Sequence, residues 1–154
     1  MSPTLIEPSC SQATDAAQLK ADLIARGVRY ALASFVDLHG VCKAKAVPID
    51  HLESMARGSE LFTGAALDGV PQEISDDEVA ALPDLSSATV LPWKPDTVWF
   101  ASNLQLGGSP FDACSRTILS RVQDQAAALG LRFNLGIETE FFALRRGENG
   151  ELMP

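Results

Sequence analysis

The sequence predicts an α+β fold, and three features of the 154-residue chain lead to this prediction. A short amphipathic helix comes first, about four strand-like segments rich in β-branched and aromatic residues follow, and a strongly helical pattern begins after a glycine-rich break. A run of strands with separate helices on either side is typical of α+β domains. We therefore expect one small sheet domain, followed by the start of a second unit.

The first predicted element is a short amphipathic helix. Asp15 stands where an N-cap residue is expected, and Gly27 supplies the permissive residue that commonly ends a helix. Residues 1–14 contain neither the basic region nor the long apolar run of a secretory signal, so we expect them to form a frayed tail. The apolar residues that share one face of this helix are Leu19, Leu23 and Ile24.

A β-hairpin is predicted next. Val28 to Asp37 and Val41 to Val47 have strand composition, and Asp37-Leu38-His39-Gly40 has the composition of a tight connection into the second strand. Because side chains alternate across a strand, the second strand places three small residues on one face and two lysines on the other. The face expected to be buried carries Cys42, Ala44 and Ala46, and the face expected to be solvated carries Lys43 and Lys45.

The middle of the chain predicts a short helix, a long acidic loop and two further strands. Asp50 and Gly58 bracket the helix. The stretch from Glu60 to Asp84 carries seven acidic residues and no basic one. Loops of this length usually bind, cover or assemble something, and a simple solvated loop is the alternative. The strands are expected at Ala88–Leu91 and Thr97–Leu104.

A glycine-rich segment, Gly107-Gly108-Ser109-Pro110, is expected to be the linker that ends the first domain. A helix from about Ser115 closes at Gly130, and Leu131 to Leu144 resumes strand character. The expected organisation is a flexible tail over residues 1–14, a first domain over 15–108, and an incomplete second unit over 109–154.

Composition limits the classes of function. With 12 Lys+Arg against 20 Asp+Glu the formal charge is -8, which disfavours an electrostatic grip on nucleic acid or on an anionic membrane. No apolar run reaches the length of about 18 residues that a bilayer-spanning helix needs. Cys10, Cys42 and Cys114 are odd in number and far apart, so neither a disulfide framework nor a structural zinc site is expected. We expect a soluble cytoplasmic protein that binds neither nucleic acid nor membrane.

Two carboxylates near the end of the chain are the candidate metal ligands. In a strand, Glu138 and Glu140 would project from the same face with Cα atoms about 6.6 Å apart. Hard Mg²⁺ or Mn²⁺ prefers carboxylate oxygens, and each acid could ligate one of two neighbouring ions. Such a pair would permit metal-assisted phosphate chemistry. The alternative is that both acids lie on the wet face of an edge strand.

Four blocks of sequence occur in a fixed order along the chain. They are the hairpin Asp37–Pro48, the step Pro83-Asp84-Leu85-Ser86-Ser87, the pair Pro92-Trp93, and the motif Gly136-x-Glu138-x-Glu140-Phe141-Phe142. Together they resemble the N-terminal third of glutamine synthetase. The chain is most similar to a divergent branch that includes type III-like glutamine synthetases and γ-glutamylmethylamide or γ-glutamylpolyamine synthetases. The resemblance implies a β-grasp domain over residues 15–108, the first helix and strand of a truncated catalytic domain, and a ring-forming homo-oligomer.

The resemblance also implies a reaction. Glu138 and Glu140 would bind separate Mg²⁺ or Mn²⁺ ions beside ATP. The γ-carboxylate of glutamate would take the γ-phosphoryl group of ATP, and ammonia would then displace phosphate from γ-glutamyl phosphate to give glutamine. The metals would neutralise charge on two anionic substrates. The fragment alone is expected to be inactive, because the family's other active-site residues lie outside it.

One departure from the family pattern concerns the amine. The family usually carries Phe-Asp-Gly-Ser-Ser where this chain has Phe62-Thr63-Gly64-Ala65-Ala66, and the family's Asp reaches a neighbouring active site, where it helps to hold and deprotonate ammonium. Thr63 has no charge for either task. Either Asp68 or another acid of the loop substitutes, or the amine differs, as in a γ-glutamylmethylamide or γ-glutamylpolyamine synthetase. A non-catalytic β-grasp assembly module is the remaining alternative.

The other polar, aromatic and cysteine candidates are interpreted structurally. We expect solvent-facing histidines at His39 and His51, a solvated strand face at Lys43 and Lys45 that could also attract an anionic substrate, small apolar fillers at Cys42 and Cys114, core or interface anchors at Trp93 and Trp99, and a surface residue at Arg116.

Overall fold

The computed structural model describes residues 10–154, with side chains described from Ala16 onward. The α-helices are α1 (Cys10–Ala25), α2 (Leu52–Met55) and α3 (Ser115–Ala128). The strands are β1 (Tyr30–Val36), β2 (Cys42–Pro48), β3 (Glu60–Phe62), β4 (Val79–Pro83), β5 (Thr89–Leu91), β6 (Lys94–Leu106), β7 (Ser109–Pro110), β8 (Arg145–Arg146) and β9 (Leu152–Met153). Short 3-10 helices cover Ile49–His51, Gly64–Ala66 and Leu85–Ser87.

Seven of the strands form one mixed sheet in the order β2-β1-β6-β4-β3, with β5 and β7 also pairing with β6. Strands β1 and β6 run parallel, and the other pairs of this sheet are antiparallel. The α+β class is confirmed. The expected sheet of about four strands is too small, because β3, β4 and β7 are short segments that the residue pattern did not reveal.

The hydrophobic core lies on one face of this sheet. Side chains of β1 and β6 alternate, and in the central part of each strand those on the core side are buried: Ala31, Ala33 and Phe35 on β1, and Val98, Phe100, Ser102 and Leu104 on β6. Helices α1 and α2 cover that face, and burial of each of their large apolar side chains, Leu23, Leu52 and Met55, contributes roughly 1.5–3 kcal/mol. The central core residues are Leu23, Ala31, Ala33, Phe35, Leu52, Met55, Val79, Val98, Phe100 and Leu104.

Side chains partly close the sheet between its two end strands, β2 and β3. The rings of Phe35 and Phe62 meet edge to face, with centroids 4.9 Å apart and an interplanar angle of 87°. Lys45 Nζ donates to the carbonyl oxygen of Leu61 and lies 4.9 Å from the centroid of the Phe62 ring. Strands β2 and β3 therefore approach one another although neither is the other's ladder partner.

The β1–β2 hairpin is confirmed, but the face of β2 that was expected to be buried is exposed. On the face expected to be solvated, Lys45 is exposed and Lys43 is half-buried. In the antiparallel register, Lys43 lies opposite Phe35 and Lys45 lies opposite Ala33, so both lysines share the core-side face. Cys42 is exposed, as are the alanines on its face, Ala44 and Ala46. The reason is that a lysine at a sheet edge can lay its methylene stem on apolar surface while its ammonium reaches a polar partner.

Helix α1 begins at Cys10, earlier than predicted. Asp15 therefore lies within the helix and is not its N-cap, and of the predicted tail residues 1–9 lie outside the described part of the chain. On the predicted apolar face, Leu23 is buried and Leu19 is partly buried, whereas Ile24 is exposed. Helix α2 is preceded by a 3-10 turn and lies within the helix expected between Asp50 and Gly58.

The chain divides into two compact units, Met1–Val122 and Gln123–Pro154. The glycine-rich segment expected to be a linker is a hairpin turn, since Gly107 and Gly108 join β6 to β7 and both adopt positive φ. In the second unit β8 and β9 pair with each other. The predicted strand over 131–144 is not present, because no described segment supplies the backbone hydrogen bonds that a strand requires. The proposed domain division at residue 108 stays a prediction.

Candidate functional site

An acidic loop joins β3 to β4 and is the candidate functional site of the first unit. It runs from Thr63 to Glu78, shorter than predicted, because the flanking segments pair as strands with Phe62 opposite Val79. It holds no lysine or arginine, so it presents a concentrated negative charge beside the sheet. The acidic residues of the loop are Asp68, Glu73, Asp76, Asp77 and Glu78.

The two ends of the loop are joined by a side-chain hydrogen bond. Thr63 Oγ1 donates to Glu78 Oε1 at 3.0 Å. The Thr63 hydroxyl makes no capping hydrogen bond to the 3-10 helix that follows it, although Thr63 occupies the N-cap position. The structure thus places the carboxylate of Glu78 directly beside the uncharged Thr63. Asp68 is exposed and is not the acid that contacts Thr63.

Gln72 organises the interior of the loop. Its Nε2 atom donates to the backbone oxygen of Asp77 at 3.1 Å, and the side chain lies directly over Gly64. A Cβ atom at Gly64 would approach Gln72 Oε1 to 1.6 Å, so a larger residue there would displace the end of the Gln72 side chain. The residue after Thr63 and the residue before Glu78 are therefore connected through one glutamine side chain.

The β1–β2 turn packs against the acidic loop at Gly69. A Cβ atom at Gly69 would lie 3.3 Å from Leu38 Cβ and 3.4 Å from His39 Nε2, and the φ of +79° independently favours glycine. His39 is exposed, as predicted. The turn itself is held by Asp37, whose Oδ1 atom accepts from the amides of His39 and Val41, each at 2.9 Å.

Asp37 is buried, and its environment favours the ionised form. The hydrogen bond from the Val41 amide holds the pKa of this carboxyl below its usual range, against the opposing effect of burial. Lys43 Nζ lies 3.5 Å from Asp37 Oδ2 and also lowers the pKa. The two lysines of β2 therefore have structural partners: Lys43 pairs with Asp37, and Lys45 binds the Leu61 carbonyl.

Arg116, predicted to be a surface residue, instead connects α3 to the sheet. Its Nη2 atom donates to Asp84 Oδ2 at 2.7 Å. Asp84 also accepts from the hydroxyl and the amide of Ser86. The Ser86 hydroxyl, followed by Arg116, lowers the pKa of Asp84. Because α3 begins at Ser115, this pair fixes the start of the helix, together with the hydrogen bond of 2.6 Å from Ser115 Oγ to the Val36 carbonyl.

The candidate metal ligands, Glu138 and Glu140, lie in the second unit in a segment without regular structure. Both are exposed, as are the apolar residues around them, with Ile137 87% exposed. Their carboxylates have the donor chemistry that Mg²⁺ or Mn²⁺ prefers. Among the described residues, however, no group of three or more His, Cys, Asp or Glu side chains converges on one point. The residues present therefore do not form a complete metal site, and the same-face geometry expected from a strand is not available to them.

Among the remaining candidates, the two described cysteines differ in burial, and so do the two tryptophans. Cys114 is buried, as predicted, with Sγ accepting from the Leu104 amide, whereas Cys42 is exposed. Trp93 is 80% exposed and is not a core residue, while Trp99 is half-buried. The exposed position expected of His51 is confirmed.

Glu78 is the loop acid that contacts Thr63, and the sequence alone does not single it out. It lies 15 positions from Thr63 and is one of five acids in the loop. The signal that could have found it is the short apolar segment Val79–Pro83: had it been read as a strand antiparallel to Glu60–Phe62, residues 63 and 78 would have been expected to meet.

Comparison with known proteins identifies relatives over most of the chain. A "Glutamine synthetase" of Rhizobium meliloti (strain 1021) is 36% identical over 121 residues, which is 77% of this chain and 27% of the relative. A "Glutamate--methylamine ligase" of Methyloversatilis universalis is 34% identical over 128 residues, which is 82% of this chain and 29% of the relative. A "Glutamine synthetase" of Clostridium saccharobutylicum is 30% identical over 128 residues. No family model matches.

Solved structures give the same result. A GmaS/ADP complex and an apo GmaS without ligand each superpose with a TM-score of 0.68 at 34% sequence identity, over 72% of this chain and 26% of the solved chain. This chain belongs to the glutamine synthetase family, and it spans less than a third of the length of these relatives. None of the helices in the described part of the chain is long and apolar enough to cross a membrane.

Proposed function

We propose that this chain is part of an ATP-dependent ligase that joins the γ-carboxylate of glutamate to ammonia or a small alkylamine. The observation that carries the proposal is its homology to both a glutamine synthetase and a glutamate–methylamine ligase, at 36% and 34% identity. Synthesis of glutamine through γ-glutamyl phosphate and synthesis of γ-glutamylmethylamide are supported alike. Cytoplasmic location and a ring-forming homo-oligomer stay predictions attached to this proposal.

The acidic loop supplies the support for an amine-binding role in the first unit. Because Thr63 holds Glu78 by a hydrogen bond of 3.0 Å, a carboxylate is present beside the position where the family's acid is missing. A carboxylate attracts an ammonium group and can accept a proton from it, whereas a threonine hydroxyl does neither near neutral pH. We therefore assign the amine end of the reaction to Glu78, held by Thr63, in place of Asp68.

Glu138 and Glu140 are proposed as ligands of Mg²⁺ or Mn²⁺ when further oxygen ligands are brought to them. When bound, such ions supply positive charge that reduces repulsion between ATP and the glutamate carboxylate. Since the described residues do not complete the site, we derive no step of the reaction from these two side chains. Their proposed role is to bind, and substitution by glutamine should weaken metal-dependent activity.

The test is a chimera in which these 154 residues replace the matching segment of the Methyloversatilis universalis ligase. The matched control carries the equivalent segment of the Rhizobium meliloti glutamine synthetase. We expect the chimera to release phosphate from ATP only when both glutamate and an amine are present. Rates with ammonia, methylamine, ethanolamine and polyamines, measured side by side, identify the acceptor. A chimera that assembles as the control does, but turns over no amine, would refute the proposal in favour of a non-catalytic module.

Variants of the chimera test the proposed residues. Glu78→Gln should raise the KM for the amine about tenfold while the KM for ATP stays unchanged, because a charge-assisted contact is worth roughly 1.5–3 kcal/mol. If Asp68→Asn has that effect instead, Asp68 is the substitute acid. Glu138→Gln and Glu140→Gln should raise the Mg²⁺ concentration needed for half-maximal activity. Glu148→Gln, an exposed glutamate of the same unit, is the control for the metal variants.

A further inference from the structure

We infer that Lys45 is a positioning residue for the amine-binding end of the site, a role that rests on the function proposed above. Lys45 lies on β2, and the segment it contacts lies on β3 at the opposite end of the strand order. Its ammonium donates to the Leu61 carbonyl and lies 4.9 Å from the Phe62 ring centroid. The residue that follows Phe62 is Thr63, which holds Glu78. Lys45 is therefore connected to the proposed amine-binding carboxylate of Glu78 through its contact with β3 and the Thr63–Glu78 hydrogen bond.

The contact matters because β3 has little else to hold it. The strand contains only three residues, Glu60–Phe62, and its single ladder partner is β4. A strand at the edge of a sheet leaves alternate backbone carbonyls without a ladder partner. Lys45 provides a donor for the carbonyl of Leu61, and a hydrogen bond to a charged donor is stronger than a neutral one. Lys45 thereby fixes the end of β3 at which the acidic loop begins.

Aromatic packing makes the contact specific to the ammonium group. The Phe62 ring is held edge to face against Phe35 on β1, with centroids 4.9 Å apart. The ring thus presents a fixed surface to the Lys45 ammonium, a geometry in which cation–π attraction adds to the hydrogen bond. Methionine at position 45 would retain an apolar stem of similar reach but would lose both the donor and the charge. Arginine would retain both.

The neighbouring lysine of β2 provides a matched control. Lys43 lies on the same face of the same strand, but it pairs with Asp37 in the β1–β2 turn and makes no described contact with β3. If the proposal is correct, Lys45→Met should loosen β3 and the adjoining Thr63, and Lys43→Met should not. Two lysines that acted only through the general charge of the strand would behave alike.

The first experiment measures amide hydrogen exchange in this chain by mass spectrometry. In Lys45→Met, the peptide that covers residues 60–63 should exchange about tenfold faster, corresponding to loss of one charge-assisted hydrogen bond. Lys45→Arg should restore slow exchange, and Lys43→Met should leave that peptide unchanged. Unchanged exchange in Lys45→Met, or equal acceleration in Lys43→Met, would overturn the positioning role whatever the activity of the ligase.

The second experiment measures kinetics in the chimera described above. Lys45→Met should raise the KM for the amine about tenfold with little change in the KM for ATP, and Lys45→Arg should recover most of the loss. An equal fall in kcat for every substrate would contradict a role at the amine end. If no variant or parent chimera turns over any amine, the proposed function fails, and the exchange experiment still decides whether Lys45 holds β3.

Discussion

The pair formed by Arg116 and Asp84 gives the sharpest prediction about how the first unit holds together. Arg116 Nη2 donates to Asp84 Oδ2 at 2.7 Å, and the two side chains are 40% and 32% exposed. Fully exposed ion pairs contribute about 0.2–1 kcal/mol, whereas breaking a fully buried pair costs about 3–5 kcal/mol. Because both side chains are partly exposed, this pair belongs near the upper limit of the range for exposed pairs, and we expect a coupling free energy of about 1 kcal/mol.

The two partners should not be equally costly to replace. Asp84 also accepts from Ser86, with its hydroxyl at 2.5 Å and its amide at 3.0 Å, so removing Arg116 leaves the carboxylate with other donors. Removing the carboxylate breaks all three contacts. We expect Asp84→Ala to cost about 2 kcal/mol and Arg116→Met about 1 kcal/mol, from net values of roughly 0.5–1.5 kcal/mol per hydrogen bond.

The assay is urea unfolding of both single variants and the double variant. For a unit of this size, a loss of 1 kcal/mol should also lower Tm by roughly 3–6 °C. Arg121 and Asp112 provide the control, because their contact of 2.6 Å is far more exposed, at 51% and 88%, and should show almost no coupling. Costs that simply add for Arg116 and Asp84, with no coupling term, would refute the view that this pair fixes the start of α3.

The Arg116–Asp84 pair should also make the free energy of unfolding depend on pH. The Ser86 hydroxyl and then Arg116 lower the pKa of Asp84 in the folded chain. A group with a lowered folded pKa contributes stability that is present above its unfolded pKa, about 3.9 for Asp, and is lost as the pH falls through the folded value. The parent chain should therefore lose more unfolding free energy than Asp84→Asn as the pH falls below about 4. If the unfolding free energies of the parent chain and of Asp84→Asn fall in parallel with pH, ionised Asp84 does not contribute this stabilisation.

Two further predictions concern the loop and the corrected strand faces. Gly64→Ala should lower the free energy of unfolding by roughly 1 kcal/mol, because the new Cβ displaces Gln72 and breaks its hydrogen bond. The same change in a Gln72→Ala background should be nearly neutral. If urea unfolding shows that the two substitutions simply add, the steric argument is wrong. In a Cys10→Ser background, Cys42 should react rapidly with a maleimide, and Cys114 should react only on unfolding. Slow labelling of Cys42 would instead indicate that the face of β2 that carries Cys42 is buried.

Local pattern predicted the elements whose geometry depends on near neighbours. The hairpin formed by β1 and β2 and the helix from Ser115 depend on residues a few positions apart, and both are found. Which face of β2 is buried depends on its register with β1, and Lys45 has a partner that comes 16 positions later in the chain. Period-two alternation is the same for either orientation, so composition alone favoured burying the alanines and gave the wrong face.

In the acidic loop, too, a contact that depends on strand pairing could not be predicted from local sequence pattern. The departure at Thr63 could be seen in the sequence, and the need for a substitute acid followed from it. Choosing Glu78 over Asp68 required the pairing of Phe62 with Val79, because only that ladder brings the two ends of the loop together. Asp68 lies nearer to Thr63 along the chain, but the described side-chain hydrogen bond of Thr63 is to Glu78.

The proposed amine-binding acid and the proposed metal ligands therefore depend on different parts of the protein. Thr63 and Glu78 are fixed by a strand ladder and by side chains within the first unit, so their geometry can be tested in this chain. Glu138 and Glu140 lie in an exposed segment that no described strand pairs with, and a bare E-x-E motif positions two carboxylates on one face only when a sheet holds it extended. Because the chain spans 29% of the glutamate–methylamine ligase, the metal-ligand proposal has to be tested in a protein of the relative's length. Loss of metal-dependent activity in Glu138→Gln there, with the amine KM unchanged, would show that the proposed metal ligands and the proposed amine-binding acid act separately.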